Sequence, residues 1–293
     1  MLKLRLKTIL ITGGSGFLGS YLVKKFLDYG FVVVVITRQK LKTKRLNDMK
    51  NSRLHIIDFD SLKNLFQDIK IIDVVLHTAT NYGSQNEKTS DIVEANLTFP
   101  LKVMEVAINY GTETFINTDT ILSPKFNRYA LSKYQFKQWG KELYKDNKIK
   151  FINCKLQNIY GEGNNITNFT SYIVNYCIHN KPEIRLTKGD QKRDFIYIDD
   201  VVDAYFVIVN SIDSINYGFS EFDIGSGCAV TIREFVETVK EITKSNVKLK
   251  FGALPLRRGE LMFSEANTDH IKSFGWSQCY SLRDGIIRTV GRS

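Results

Sequence analysis

The stretch Thr12-Gly13-Gly14-Ser15-Gly16-Phe17-Leu18-Gly19 decides the fold of this chain. It follows a short apolar run, 8–12, that is typical of a buried strand, and it opens a segment with helical spacing, 17–29. Glycines three residues apart allow a tight turn, a close backbone approach to a pyrophosphate and packing of the helix on the strand. Because the N-terminus of that helix attracts negative charge, the stretch predicts a dinucleotide site.

The end of the second predicted strand, 31–37, distinguishes the two nicotinamide cofactors. NAD enzymes of this type usually carry an acid here for the ribose 2′-hydroxyl, whereas this chain has Thr37-Arg38. A guanidinium attracts a 2′-phosphate, which predicts NADP, with NADPH preferred over NADH. Asp58, after the third strand, is placed to reach the adenine amino group, because Asp60 or Ser61 fits the alternative role of a helix cap better.

Further contacts are predicted where the fourth strand ends, at His77-Thr78-Ala79-Thr80. His77 has no cysteine or acidic partner at ligand spacing, so it is interpreted as structural. The full set of predicted cofactor contacts is Gly13, Ser15, Gly16, Phe17, Leu18, Gly19, Thr37, Arg38, Asp58, Phe59, Thr78, Ala79, Thr80, Tyr129 and Lys133.

Strands and helices alternate along the first half of the chain, which predicts an α/β fold with a doubly wound parallel sheet of the Rossmann type. After Gly161 the pattern changes, and residues 164–180 predict a helix in a new region. Residues 195–198 and 222–224 are expected to be strands that return to the first sheet. We therefore expect a dinucleotide-binding domain, 1–162 plus 194–226, and a smaller interleaved C-terminal substrate domain, 163–193 and 227–293.

Composition excludes several classes of protein. The chain has 293 residues, 43% of them apolar, and a net charge of +10, which suits a solvated basic surface or a site for anionic small molecules. Its lysines form no long basic tract, so nucleic acid is not an expected partner. The four cysteines form no CxxC pair, so we expect no metal. No apolar run reaches the length of a membrane span, and the protein is expected to be cytoplasmic and not membrane-bound.

Tyr129 and Lys133 stand four residues apart, so on a helix they share one face. A tyrosine is a poor acid–base group near neutral pH, because its reference pKa is about 10. A nearby ammonium favours the phenolate and is expected to lower this pKa toward the working range. The same lysine can hold the nicotinamide ribose. The pair therefore predicts proton transfer beside the dinucleotide.

With these residues in place, the chain resembles the extended short-chain dehydrogenase/reductase family of nucleotide-sugar epimerases, dehydratases and reductases. Within it, the chain is most similar to the CDP-abequose and CDP-paratose synthases, reductases that complete CDP-3,6-dideoxyhexoses for bacterial surface polysaccharide such as O-antigen. The resemblance covers nearly the whole length. Its motifs are the Gly13/Gly16/Gly19 loop, His77-Thr78-Ala79, Asn96, Tyr129/Lys133, Asn158-Ile159-Tyr160-Gly161, Arg193-Asp194-Phe195, Arg257-Arg258-Gly259-Glu260 and Phe274-Gly275-Trp276.

The resemblance implies roles for residues that spacing alone does not assign. Thr120 would be the hydroxyl of the reaction centre, with Thr118 as its possible substitute, and Asn96 would support Lys133 through a water. The implied catalytic set is Thr120, Tyr129, Lys133 and Asn96, and the implied substrate contacts are Tyr82, Thr120, Asn158, Arg193 and Arg257. Two departures are a spacing of only nine positions between Thr120 and Tyr129, where most relatives carry a longer loop, and Lys155 in place of the family's arginine before Asn158.

Three reactions share this scaffold. Family dehydratases carry an Asp-Glu pair directly after the catalytic threonine. Here Ile121-Leu122 follow Thr120, and Asp119-Thr120 follow Thr118, so the glutamate is missing in either alignment and elimination lacks its base. A 4-epimerase with tightly bound NAD is the alternative, although Arg38 favours NADP. The expected activity is NADPH-dependent reduction of a nucleotide-linked 4-keto deoxy sugar, with a CDP-4-keto-3,6-dideoxyhexose as substrate. Relatives pair the helices 91–110 and 128–144 across a two-fold axis, which implies a homodimer.

Overall fold

The computed structural model describes residues 7–37, 44–61, 71–83, 87–146, 149–257 and 259–291. The chain divides into two compact units, a first unit of Met1–Lys155 with Tyr205–Phe222 and a second unit of Leu156–Ala204 with Asp223–Ser293. Compared with the expected domain boundaries, residues 156–162, 194–204 and 223–226 group with the second unit.

The first unit carries most of a seven-stranded sheet with the order β10-β6-β5-β4-β1-β2-β3. The pairs β1–β2, β2–β3, β1–β4 and β4–β5 are parallel, as the alternation of strands and helices predicts. This is the doubly wound Rossmann arrangement, with the sheet order reversing beside β1. The strands are β1 Thr8–Thr12, β2 Val32–Ile36, β3 Leu54–Ile57, β4 Val74–His77, β5 Thr114–Thr120, β6 Lys150–Leu156 and β10 Gly218–Ile224.

Helices pack on this sheet through apolar faces. Val103 and Phe136 are fully buried, and they join the central strand residues Val75, Phe115 and Phe151 in one core. None of the helices in the described ranges combines the length and the apolar character needed to cross a membrane. The helices are α1 Phe17–Asp28, α2 Lys44–Asn47, α3 Thr89–Val93, the π-helix Glu94–Thr98, α4 Phe99–Asn109, α5 Arg128–Asp146 and α7 Ile198–Asn210, which crosses between the units.

The second unit contains two small sheets, with the orders β11-β9-β7 and β12-β8. Its strands are β7 Asn158–Tyr160, β8 Glu183–Arg185, β9 Lys192–Tyr197, β11 Ala229–Thr231 and β12 Lys248–Lys250, and its helices are α6 Phe169–Ile178, α8 Ile232–Thr243, α9 Asp269–Lys272 and α10 Leu282–Gly291. The helix expected over 164–180 thus begins only at Phe169. The side chain of Thr231 caps α8 by accepting the N–H of Glu234 at 3.0 Å.

The expectation that residues 195–198 return to the first sheet is wrong. β9 pairs in parallel with β7 and antiparallel with β11, so it belongs to a sheet of the second unit. The buried carboxylate of Asp194 explains the choice, since it accepts backbone N–H groups from Ser226, Gly227 and Ala266 at 2.8–3.1 Å. These bonds satisfy a buried charge within the second unit. The other returning segment, 222–224, is in the large sheet as the end of β10.

Candidate active site

The glycine loop joins β1 to α1 beside the end of β4. Gly13 has φ +73°, and a Cβ there would lie 2.6 Å from the backbone nitrogen of Ala79. Both the backbone conformation and the lack of space therefore require glycine at this position. A Cβ on Gly19 would overlap the carbonyl oxygen of Gly13. Because glycine has no Cβ, the first turn of α1 can lie this close to the loop. Gly16 is the N-cap of α1 and offers no side chain to cap it.

This geometry fits a dinucleotide phosphate. An uncapped helix start and missing Cβ atoms leave a cradle of backbone where an anion can approach the N–H groups of the first turn. Ser15 and Phe17 are half-buried at this turn, and Leu18 is buried under it. Thr78 closes the neighbouring strand end, because its hydroxyl donates to the Thr12 carbonyl at 2.8 Å.

His77 lies under the loop as a fully buried ring. Its Nδ1 is 2.7 Å from the Thr12 hydroxyl, and its ring packs against Phe99, Phe115 and Phe136 at centroid distances of 5.6–6.3 Å. Burial, followed by the charge of Lys133, holds the pKa of His77 well below its usual value. A neutral, wedged imidazole is a packing element, which is the interpretation made from the sequence.

The remaining predicted cofactor contacts have different surroundings. Thr37 is buried at the end of β2, where its N–H donates to the Ile57 carbonyl at 3.0 Å. Asp58 makes a turn instead of presenting its whole carboxylate to a ligand, because Oδ1 accepts both the N–H and the hydroxyl of Ser61 at 2.8 and 2.6 Å. Phe59 packs on Phe99 with centroids 5.4 Å apart. Arg38 lies outside the described residues.

The reaction centre of the first unit is formed by the end of β5 and the start of α5. The hydroxyl of Thr120 acts on the phenol of Tyr129 as a hydrogen-bond partner that lowers its pKa. Lys133 follows Tyr129 by one helical turn, and its side chain is almost fully buried at 2% exposure. Thr118 lies two residues earlier on the same face of β5, and its hydroxyl is 2.7 Å from the Tyr205 hydroxyl. The structure therefore joins Thr120, and not Thr118, to the tyrosine.

The protonation of this pair differs from the expectation that lysine lowers the tyrosine pKa. Burial, Tyr82 and Asp119 raise the pKa of Tyr129 above its usual value, and only the hydrogen bond from Thr120 lowers it. Burial lowers the pKa of Lys133 to about 8, and the Asp119 carboxylate raises it. The physical reason is that burial, the largest cause, disfavours the charged phenolate. Tyr129 is thus held in its protonated form.

Asn96, at the centre of the π-helix, holds the loop that contains Asn81 by hydrogen bonds. Its side-chain oxygen accepts the N–H of Asn81 at 2.7 Å, and its Nδ2 donates to the Asn81 carbonyl at 2.8 Å and to the Ser132 hydroxyl at 3.0 Å. Tyr82, which follows Asn81 in the chain, is 65% exposed, and its ring centroid lies 5.0 Å from that of Tyr129. Asn96 therefore fixes the position of Tyr82 over the reaction centre, a contact that the sequence did not predict.

A polar cluster below the reaction centre was also missed. Asp119 and Asn153 are buried, and Asn153 Nδ2 donates to Asp119 Oδ2 at 2.9 Å and to Glu221 at 3.0 Å. Lys137, one turn after Lys133, lies 3.3 Å from Glu221 and 3.9 Å from Asp119. The alternation of Phe115, Asn117 and Asp119 along β5 was the available signal, because residues two apart share one face of a strand.

Three predicted substrate contacts lie in the second unit. Asn158 donates to the carbonyl of Asp194 at 3.2 Å. Arg193 is held by Glu260, with 2.6 Å between NH2 and Oε1, so its guanidinium is partly used within the protein. Arg257 is exposed, and its carbonyl accepts the N–H of Glu260 at 3.0 Å. Nothing among the described residues groups three or more metal-ligating side chains.

Comparison with known proteins agrees with this geometry. CDP-abequose synthase of Salmonella typhimurium is 31% identical over 296 residues, which cover 97% of each chain. UDP-glucose 4-epimerase of Thermotoga maritima, solved with UDP-glucose, superposes with a TM-score of 0.82 at 22% identity, over 97% of this chain and 98% of that one. UDP-glucuronic acid 4-epimerase of Bacillus cereus, solved with UDP-glucuronic acid and NAD, gives a TM-score of 0.84 at 23% identity and the same coverage.

A sequence profile of the NAD dependent epimerase/dehydratase family matches residues 9–225, which include the glycine loop, the Tyr129/Lys133 pair and the strands that hold them. This match spans more than half of the chain. The chain belongs to the NAD dependent epimerase/dehydratase family.

Proposed function

We propose that this chain is an NADPH-dependent reductase of a nucleotide-linked 4-keto deoxy sugar, with a CDP-4-keto-3,6-dideoxyhexose as substrate. Family membership and the relatives support a nucleotide-sugar-modifying NAD(P)-dependent enzyme. The similarity to CDP-abequose synthase over 97% of both chains supports the CDP-linked substrate and a place in bacterial surface polysaccharide synthesis. The observation that carries the proposal is this match to a CDP-abequose synthase over nearly the whole of both chains.

Each side chain at the reaction centre has a task in such a reduction. When bound, NADPH would supply the hydride that reduces C4 of the sugar. The carbonyl oxygen then gains negative charge, and Tyr129 donates its phenolic proton to that oxygen. Thr120 would turn its single O–H from Tyr129 to the same oxygen and donate a hydrogen bond there while charge develops. Lys133 holds the nicotinamide ribose and, with a pKa of about 8, carries its positive charge at neutral pH.

A 4-epimerase that recycles NAD is the competing assignment. It would use the same tyrosine, first as a base and then as an acid, because the hydride returns to the sugar. The similarity to CDP-abequose synthase over 97% of both chains favours reduction over this route. The sequence at Arg38 adds a second argument, since a cation there favours the 2′-phosphate of NADP.

The test is a screen of CDP-, UDP- and dTDP-linked 4-keto-6-deoxy and 3,6-dideoxy sugars with tritiated NADPH. The proposal requires stoichiometric loss of NADPH absorbance and label at C4 of the product. Lys133→Met is the control, because it should reduce both turnover and NADPH affinity. Interconversion of UDP-sugars without NADPH consumption would identify an epimerase instead.

The proposal includes a cytoplasmic homodimer. Leu131, Tyr134 and Trp139 are exposed by 44%, 42% and 53% on one side of α5. An apolar side of a helix turned to solvent is a favourable surface for a second copy. Val103 and Phe136, in contrast, are buried in the core and are not part of this surface.

A further inference from the structure

One face of three neighbouring strands changes from aromatic to polar toward the reaction centre. Phe115 on β5 packs on Phe151 of β6, and Phe151 packs on Phe219 of β10, with ring centroids 6.1–6.2 Å apart. Two residues further along each strand, on the same face, follow Asn117, Asn153 and Glu221. Asp119 is the last member of this face on β5. The change places a carboxylate under the helix that carries Tyr129 and Lys133.

Asp119 is almost completely withdrawn from water, with its side chain 4% exposed. Its Oδ1 accepts the N–H of Thr120 at 2.8 Å, and its Oδ2 accepts Nδ2 of Asn153 at 2.9 Å. A buried carboxylate is costly unless it is hydrogen-bonded and balanced by cations. These contacts provide that balance, and they attach the carboxylate directly to the backbone of the reactive threonine.

The charges around Asp119 come from every element packed on it. α5 contributes Lys133 and Lys137, β6 contributes Lys155, which lies 3.1 Å from Glu221, and β10 contributes Glu221 itself. On the opposite face, burial raises the pKa of Tyr205 of α7 and Cys154 of β6, so both stay neutral. Two carboxylates thus face three ammonium groups.

We propose that Asp119 is a positioning residue that anchors the backbone of Thr120 and provides the fixed negative charge beneath the Tyr129–Lys133 pair. This rests on the proposed reductive function, in which both members of the pair must enter the reaction protonated. The direction of the pKa shifts supports it, because Asp119 raises the pKa of both Lys133 and Tyr129. Glu221 belongs to the same cluster but is bonded to Lys137 and Lys155 instead.

The experiment compares Asp119→Asn with Glu221→Gln in the full chain. Each variant removes one carboxylate from the cluster and keeps a similar shape. The first readout is the NMR titration of Lys133 in protein labelled with 13C at the lysine Cε, with the resonance assigned by Lys133→Arg. Asp119→Asn should lower the Lys133 midpoint by about one pH unit or more, the usual effect of losing a nearby opposite charge. Glu221→Gln should leave it close to the parent value.

The second readout is the pH dependence of kcat for NADPH-dependent reduction. Asp119→Asn should move the alkaline limb to lower pH in the same direction, whereas Glu221→Gln should not. If Asp119→Asn does not fold, Lys137→Met replaces it with the opposite sign, because removing a neighbouring cation should raise the Lys133 midpoint. An unchanged midpoint, or an equal shift in Glu221→Gln, would overturn the proposal.

The NMR titration needs no substrate, so it separates two failures. A parent enzyme without reductase activity, together with a shifted Lys133 midpoint in Asp119→Asn, would reject the proposed reaction and keep the role of Asp119. Normal reduction with an unshifted midpoint would reject the role of Asp119 and keep the reaction.

Discussion

Replacing each of two threonines on β5 by valine separates chemistry from packing. Thr118 and Thr120 are two residues apart, but the Thr118 hydroxyl meets Tyr205 at 2.7 Å whereas the Thr120 hydroxyl bonds Tyr129. Valine keeps the branched shape and removes only the hydroxyl. We therefore expect Thr120→Val to lower kcat and Thr118→Val to lower stability.

The magnitudes follow from the partners. Loss of one donor to a developing oxyanion costs on the order of 10²-fold in kcat, about 2.7 kcal/mol, so Thr120→Val should fall in that range. Thr118→Val removes one buried hydrogen bond, worth about 1 kcal/mol. For a chain of this size, that lowers the melting temperature by roughly 2 °C.

The assay is NADPH absorbance with saturating keto sugar, combined with a thermal melt of each variant. Thr120→Ser is the matched control, because it restores the hydroxyl and should recover most of kcat. The reasoning is refuted if Thr118→Val loses turnover by two orders of magnitude while Thr120→Val reduces its substrate at the parent rate.

Three further predictions concern other parts of the first unit. Tyr129→Phe should lower kcat by about 10²–10⁴-fold with NADPH binding retained, measured by single-turnover kinetics and fluorescence titration; parental turnover would contradict it. Arg38→Ala should weaken NADPH by about 1.5–3 kcal/mol and NADH much less, measured by calorimetry, and equal weakening of both would contradict it. Trp139→Arg should turn the proposed dimer into a monomer in sedimentation experiments. The control Lys24→Ala changes an exposed ion pair on α1 and should leave the dimer intact. A parent protein that is already monomeric at micromolar concentration would reject the dimer.

The large sheet and the glycine loop could be predicted because their signals are local. A β-branched run followed by spaced glycines specifies β1, the turn and α1 whatever else the chain does. The destination of β9 could not be predicted, because its pairing depends on the acceptor capacity of the Asp194 carboxylate for three distant N–H groups. Sequence patterns carry no information about which distant sheet a short apolar segment joins.

At the reaction centre, the sequence identified the residues Tyr129 and Lys133 but not the protonation state of the tyrosine. Tyr129 and Lys133 were found by spacing, but the raised pKa of the phenol depends on burial and on Asp119, which only the fold reveals. Asp58 illustrates the same limit, since its side chain closes a turn with Ser61. Thr118 and Thr120 share one face of β5, so the choice between them depends on which one lies beside Tyr205, and only the fold shows that it is Thr118.

At the π-helix Glu94–Thr98, one residue can be lost without changing which side of the helix the flanking residues face. A π-turn accommodates one extra residue, so shortening it by one would leave an ordinary α-helix with the same phase on either side. Ile92 before it and Val103 after it would stay buried, whereas a deletion elsewhere in the helix would rotate the remainder by about 100°. Only the inward bulge of Asn96 would disappear. The π-helix therefore lets Asn96 hold the loop that carries Tyr82 without shifting the buried faces of the helices on either side.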